Sequence, residues 1–377
     1  MRAVAMFPAE KKIRVVDHPS AEIGADDEVR LRILDVGVCG TDHEIARFEY
    51  GTPPAGEPYL VMGHESLGEV VEVGSGVKSL KAGDLVVTTV RRPCGRPECR
   101  PCAHDRPDFC RTGAYTERGI KGRHGFMTDE VVDLAKNMHL VPPGLADIAV
   151  LTEPLTITEK ALNELERILV RMPWVDPDKP AKRGLNAVVL GAGPVGLLGA
   201  LALLVRGYDT WVYSRESSAS ARAAWVESVG GRYIESGTLP VGQLGKRVGN
   251  VDLILEATGS AGLSTAALPA IGENGVMIYT GVPGGKAEVS IDAQRLMRDL
   301  VLENQLVYGT VNAGPRAFDH AITDLGKFDA QWPKQVRSII TGRFSPETIG
   351  DVLSGKDAIK SVLQFSKPSA AKGANRG

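Results

Sequence analysis

The sequence predicts an α/β chain of two domains, one rich in short β-strands and one built on a doubly wound parallel sheet. Three observations carry this expectation. At 377 residues the chain exceeds the size at which a single hydrophobic core keeps growing, so two cores are expected. Residues 1–155 carry short alternating runs, such as Val29-Arg30-Leu31-Arg32-Ile33-Leu34 and Glu69-Val70-Val71-Glu72-Val73, broken by Gly, Pro and Asp. From Asn186 the runs become almost continuously apolar and alternate with helical patterns, as in a parallel sheet covered on both faces.

Taken in order, residues 155–171 read as a helix, with apolar positions at Ile157, Ala161, Leu165, Ile168 and Leu169 before the breaker at Pro173. A polar, proline-rich loop over 173–184 follows. Strands are expected at 187–190, 210–213, 251–255 and 276–279, completing a second domain over 156–312. Beyond it, 313–377 forms a C-terminal segment with amphipathic helices near 316–327 and 346–354 and a strand at 360–365. The small, polar tail 369–377 is expected to fray. No internal repeat is visible.

Composition narrows the function. The net charge is −2 and charges are interspersed, which argues against nucleic acid or an anionic membrane as partner. No run reaches the length of a membrane span, and the start, Met1-Arg2-Ala3-Val4-Ala5-Met6-Phe7-Pro8, lacks the apolar core of a signal peptide. A soluble cytoplasmic protein acting on a small molecule is expected. Five cysteines, an odd number, suit a reducing compartment and metal ligation better than a disulfide framework.

Two constellations carry chemistry. Gly37-Val38-Cys39-Gly40-Thr41-Asp42 and Gly63-His64-Glu65 supply a thiolate, an imidazole and an adjacent carboxylate, which together read as an open zinc site. Gly191-Ala192-Gly193-Pro194-Val195-Gly196 follows an expected strand and opens an expected helix, the context in which a GxGxxG cradles a pyrophosphate. The next strand runs into Ser214-Arg215-Glu216 with no acid at its tip. Ser214 and Arg215 can hold a 2′-phosphate, so NADP is favoured, while Glu216 leaves NAD open.

A second cysteine group, Cys94, Cys99, Cys102 and Cys110, has four, two and seven residues between successive members. Four thiolates so close in sequence read as a closed tetrahedral zinc site that folds a lobe over about 91–112. Free thiols or a labile disulfide is the alternative. Arg91, Arg92, Arg96, Arg100, Arg106 and Arg111 surround the group and could offset the negative charge of a four-thiolate site. A nucleic-acid knuckle would interleave aromatic residues, which are missing here.

The order GVCGTD, GHE, Glu153-Pro154-Leu155 and GAGPVG resembles the zinc-dependent medium-chain alcohol dehydrogenases over nearly the whole chain. Arg91-Arg92-Pro93-Cys94, Arg106-Pro107-Asp108-Phe109-Cys110, Gly125-Phe126-Met127 and Gly309-Thr310-Val311-Asn312 resemble its glucose 1-dehydrogenase branch. That resemblance implies a GroES-like catalytic domain, a Rossmann domain, and a C-terminal segment returning to the first. It implies that Cys39 and His64 ligate a catalytic zinc, that Glu153 completes the site directly or through a water, and that Glu65 is an alternating ligand or supporting carboxylate. Thr41 matches the hydroxyl that takes the alcohol proton, and Asp42 matches the carboxylate that holds the ligating imidazole. The cofactor set it implies is Gly191, Gly193, Pro194, Val195, Gly196, Ser214, Arg215, Thr258, Val282 and Asn312.

For substrate, the resemblance implies Thr41, Glu117, Glu153 and Asn312 as contacts. Its family pattern has two residues between the first two lobe cysteines, so the longer loop here puts Cys94 in question as a ligand. Three sugar-contact positions also depart, being Val90, Ile157 and Leu302 in place of Asn, Asp and His. Each missing polar partner costs discrimination between hydroxylated substrates. The resemblance thus implies hydride transfer from the anomeric carbon of an aldose to NAD(P), giving the lactone. A polyol or secondary-alcohol dehydrogenase on the same scaffold is the alternative, followed by a non-catalytic NAD(P)-binding protein. It also implies a homo-oligomer, dimer or tetramer.

Overall fold

The computed structural model describes every residue except 176–183, 285–287, 356–357 and 369–377. Most of the expected proline-rich loop and the expected frayed tail lie outside the described residues. The chain divides into two compact units.

The first unit comprises 1–153, 312–325 and 340–377. Its main sheet is organised on the long strand Glu28–Val38, which pairs antiparallel with Glu65–Val73 on one side and with Lys360–Gln364 on the other. The alternation seen at 29–34 buries Val29, Leu31 and Ile33 on one face, as a half-buried strand requires. At its end the strand turns buried throughout, so Asp35 and the residues after it reach the interior. One core joins Val36, Val38, Ile45, Met62, Phe126 and Leu363. A small three-stranded sheet pairs Arg91–Arg92 with Thr116–Arg118, the latter also bridging to Gly122–Arg123.

The second unit comprises 154–311 and 326–339. Its six strands are all parallel, ordered Arg232–Glu235, Asp209–Ser214, Asn186–Leu190, Leu253–Glu256, Val276–Tyr279, Leu306–Gly309. In sequence terms that is third, second, first, fourth, fifth, sixth. The order reverses between Asn186–Leu190 and Leu253–Glu256, and ligands of such sheets bind beyond the carboxyl ends of the strands at that reversal. Gly191 and Thr258 stand there. The helix Thr152–Leu169 begins a few residues earlier than its apolar pattern suggests.

Within the C-terminal segment, 312–325 and 340–377 cluster with the first unit and 326–339 with the second. Trp225 explains the attachment: its indole Nε1 donates to the Gln335 carbonyl and to Ser338 Oγ at 3.0 Å each.

Candidate active site

The residues Cys39, His64 and Glu65 converge, with one ligand atom from each lying within 4.8 Å of the others. Cys39 Sγ and His64 Nε2 are 3.0 Å apart. Local sequence makes this geometry. Cys39 ends the long strand and caps the helix Gly40–Ala46, its sulfur accepting from the Thr41 N–H at 3.3 Å while Asp42 Oδ2 accepts from the Cys39 N–H at 3.0 Å. His64 and Glu65 open the neighbouring antiparallel strand, which puts Glu65 directly opposite Gly37. A Cβ at Gly37 would stand 2.0 Å from Glu65 Oε2, so glycine is what leaves room for that carboxylate.

The donor set of sulfur, imidazole nitrogen and carboxylate oxygen suits zinc. His64 points Nε2 at the sulfur and Nδ1 toward Asp42, whose Oδ1 is 3.9 Å away. That distance exceeds a hydrogen bond, and both atoms are buried without a partner. Asp42 therefore faces the imidazole as expected, but its hydrogen bond goes to Cys39. Burial pushes the Cys39 thiol up. Burial opposes charge on His64 too, yet the facing Cys39 sulfur and Asp42 carboxylate carry its pKa well above the usual histidine range. Glu153 stands outside the tight trio among the described residues. Burial lifts its carboxyl to about 7, with His64 opposing the rise and Glu65 adding to it.

Sequence reasoning missed Lys360. Its ammonium lies 2.7 Å from both oxygens of Glu65 and 3.2 Å from the Val38 carbonyl, with both side chains at most 2 % exposed. The only signal was a lysine opening an otherwise buried strand.

The expected substrate residues Glu117 and Asn312 do meet: Asn312 Nδ2 donates to Glu117 Oε1 at 3.1 Å. Glu117 is buried and begins the turn that brings Gly119 against Gly63, where a Cβ would be 2.2 Å from the Gly63 carbonyl. The turn that follows Glu117 thus packs on Gly63, the residue before His64. Of the departing positions, Val90 is buried in the core, Ile157 is half-buried and Leu302 is 66 % exposed.

The four lobe cysteines also converge within 4.8 Å, Cys94 included, and all are free thiols. The four-residue loop before Cys99 therefore does not exclude Cys94. Burial works against the Cys110 thiolate, but hydrogen bonds from Thr112 bring its pKa down to about 6, while burial holds Cys102 up at about 12. Four sulfurs so close together fit a closed thiolate site for a metal. The arginine expectation is corrected in part. Arg91 pairs with Glu117, Arg92 with Asp133 and Arg106 with Asp108, so these three are committed to carboxylates.

In the second unit, Gly191 has φ +104°, and a Cβ on Gly196 would lie 2.1 Å from the Gly191 carbonyl, so helix Pro194–Val205 packs directly on the turn. Around a Cβ at Gly193 there is open space. Thr258 is fixed by Glu256, which accepts from both its N–H and its hydroxyl, and Val282 is exposed. The Ser214 hydroxyl is not turned outward: it donates to Glu216, which also accepts from Arg222 at 3.1 Å. Arg215 remains exposed.

Residues 146–365 match the glucose dehydrogenase C-terminus model, and residues 25–143 match the alcohol dehydrogenase GroES-like domain model. The chain belongs to the glucose dehydrogenase family of zinc-type medium-chain alcohol dehydrogenases. Among relatives of this family, the glucose 1-dehydrogenase of Methanocella arvoryzae is 36 % identical, with 97 % of this chain and 99 % of that protein covered. Glucose 1-dehydrogenase 2 of Vulcanisaeta moutnovskia is 37 % identical over the same shares of each. The solved glucose dehydrogenase of Haloferax mediterranei, in complex with NADP, Zn and gluconolactone, superposes with a TM-score of 0.87 at 31 % identity, covering 97 % of this chain and 100 % of that one. The glucose dehydrogenase-family fold, a GroES-like domain with a Rossmann-like parallel sheet, is the architecture described above.

Proposed function

We propose that the chain is a zinc- and NAD(P)-dependent dehydrogenase that oxidises the anomeric carbon of an aldose, glucose foremost, to the lactone. The observation that carries this reading is the pairing of Glu117 with Asn312 in the same compact unit as the Cys39, His64 and Glu65 trio. A carboxylate and an amide so placed address hydroxyl groups, which a simple alcohol lacks in number. The names and bound ligands of the relatives support the same reaction.

Cys39, His64 and Glu65, with Glu153, would hold the zinc, and the four lobe thiols a second one. Bound there, the catalytic metal supplies Lewis acidity at the hydroxyl being oxidised, and the nicotinamide supplies the hydride acceptor. The chain does the rest. Thr41, two residues from Cys39, takes the proton of the hydroxyl and passes it outward. Glu117 accepts from a sugar hydroxyl while Asn312 orients it. Gly191, Gly193, Pro194, Val195 and Gly196 seat the pyrophosphate at the helix N-terminus. NADP is the preferred cofactor and NAD a usable one: Arg215 and Arg222 offer positive charge, and Glu216, already satisfied by Ser214 and Arg222, is the group a ribose hydroxyl would otherwise engage.

The apolar residues at Val90, Ile157 and Leu302 favour a second reading, a polyol or secondary-alcohol dehydrogenase. Zinc-replete protein mixed with NADP and a panel of aldoses and polyols separates the two. Reduced cofactor and lactone with aldoses are expected; reduction with polyols and with no aldose would select the second reading.

The partner we infer for the helix Ala293–Leu302 is a second copy of the chain. The helix buries none of its residues, exposes Met297, Val301 and Leu302 at 67, 75 and 66 %, and leads into the edge strand Leu306–Gly309. Light scattering is expected to give a dimer or tetramer, and a monomer at micromolar concentration would reject it. No helix among the described residues is long and apolar enough to cross a membrane. The free thiols suit a cytoplasmic setting.

A further inference from the structure

We propose that the four-cysteine lobe acts on the sugar site: through Arg91, which its main chain grips, it orients the Glu117 carboxylate. Arg91 is then a positioning residue and the lobe more than a fold staple. The inference rests on the reading of Glu117 as a sugar contact.

Arg91 and Glu117 are direct cross-strand partners in the small sheet, so their side chains leave the same face. Arg91 Nε donates to Glu117 Oε1 at 2.9 Å, with the two side chains 7 and 5 % exposed. Asn312 Nδ2 donates to that same oxygen. Oε1 is therefore taken by two donors, and Oε2 accepts no hydrogen bond from the described residues. It is the oxygen left to meet a sugar hydroxyl, and its direction follows from how Oε1 is held.

Both donors lean on one turn of the lobe. The Arg91 guanidinium lies over the Tyr115 ring at 3.8 Å, and its Nη1 donates to the main-chain carbonyl of Asp108 at 3.3 Å. Asp108 sits in the span between Cys102 and Cys110, its buried carboxylate paired with Arg106 at 2.7 Å. The same pair presses on the chain two residues past Asn312, since a Cβ at Gly314 would stand 3.0 Å from Arg106 Nε and 3.1 Å from Asp108 Oδ1. One turn, closed by the cysteine cluster on either side, thus backs Arg91 from one direction and the Asn312 segment from the other. Loosening it frees Oε1 and lets Oε2 swing, which weakens sugar binding more than it slows the chemistry.

The test compares Arg91→Lys, Arg91→Gln, Arg106→Met and Glu117→Gln in the zinc-replete enzyme. Steady-state KM and kcat are read with glucose and NADP, gluconolactone binding by calorimetry, and thermal midpoints alongside. The Arg91 variants are expected to raise the glucose KM about tenfold or more and weaken gluconolactone in parallel, with the NADP KM unmoved and kcat changed by less. Arg106→Met, which takes this cation from the buried Asp108 carboxylate, should lower the thermal midpoint and, at a temperature where the variant stays folded, raise the glucose KM a few-fold. Adding Arg91→Gln to Glu117→Gln should cost little more than Glu117→Gln alone. Arg91→Lys, Arg91→Gln and Arg106→Met with unchanged glucose KM, beside a raised KM in Glu117→Gln, would overturn the proposal and leave the sugar site standing. An unchanged aldose KM in Glu117→Gln would remove the sugar reading of Glu117 and the proposal with it.

Discussion

Cys39→Ala is expected to lower turnover by about a thousandfold or more while leaving nucleotide binding intact, the scale seen when a group that stabilises developing charge is deleted. The physical reason is local. The Cys39 sulfur is one of three donors that converge, and it also caps the helix that presents Thr41. Alanine removes the donor and leaves His64 facing a void in a site where burial already opposes charge. The nucleotide residues belong to the parallel sheet of the other unit, whose core of Val188, Leu190, Ile254 and Met277 does not involve Cys39. Metal analysis should therefore show the lobe zinc retained and the other lost, and titration with NADP should give an unchanged dissociation constant. Wild-type turnover in this variant would remove the trio from the reaction.

Lys360→Met is expected to destabilise the metal-free protein by about 3–5 kcal/mol, because it strands the buried Glu65 carboxylate without its counter-charge. Both oxygens of Glu65 rest on this one ammonium, and both side chains are buried. A cation held by Cys39, His64 and Glu65 would offset part of the same negative charge. The loss should then be smaller with zinc than without it, so the variant's thermal midpoint should depend on zinc more steeply than the wild type's. Lys360→Arg keeps the charge and should recover most of the stability. Equal midpoints for Lys360→Met and wild type, with and without zinc, would show that the pair contributes nothing.

What could be read before the structure was local in sequence. Val188 to Leu190 are apolar because both faces of their sheet are covered, and the glycines after them sit at the strand-to-helix turn that follows, so strand and phosphate loop were legible together. The cysteine lobe was legible for the same reason, its four sulfurs lying within one short span. Residues that act through partners far along the chain were not. Lys360 meets Glu65 across 295 positions, and nothing near either one announces the other. Arg91 looked like one of six arginines around a charged cluster, whereas its cross-strand register gives it to Glu117. Glu216 reads in the sequence as the residue that leaves NAD open, but two residues of turn let its carboxylate fold back onto the Ser214 hydroxyl.

The most direct measurement is glucose-dependent NADPH formation by the same preparation when zinc-replete, after chelation, and after zinc is returned. The account predicts that turnover, with matching lactone, falls to background on chelation and comes back with zinc, while NADP binding persists throughout. Undiminished glucose oxidation by protein shown to hold no metal would contradict it.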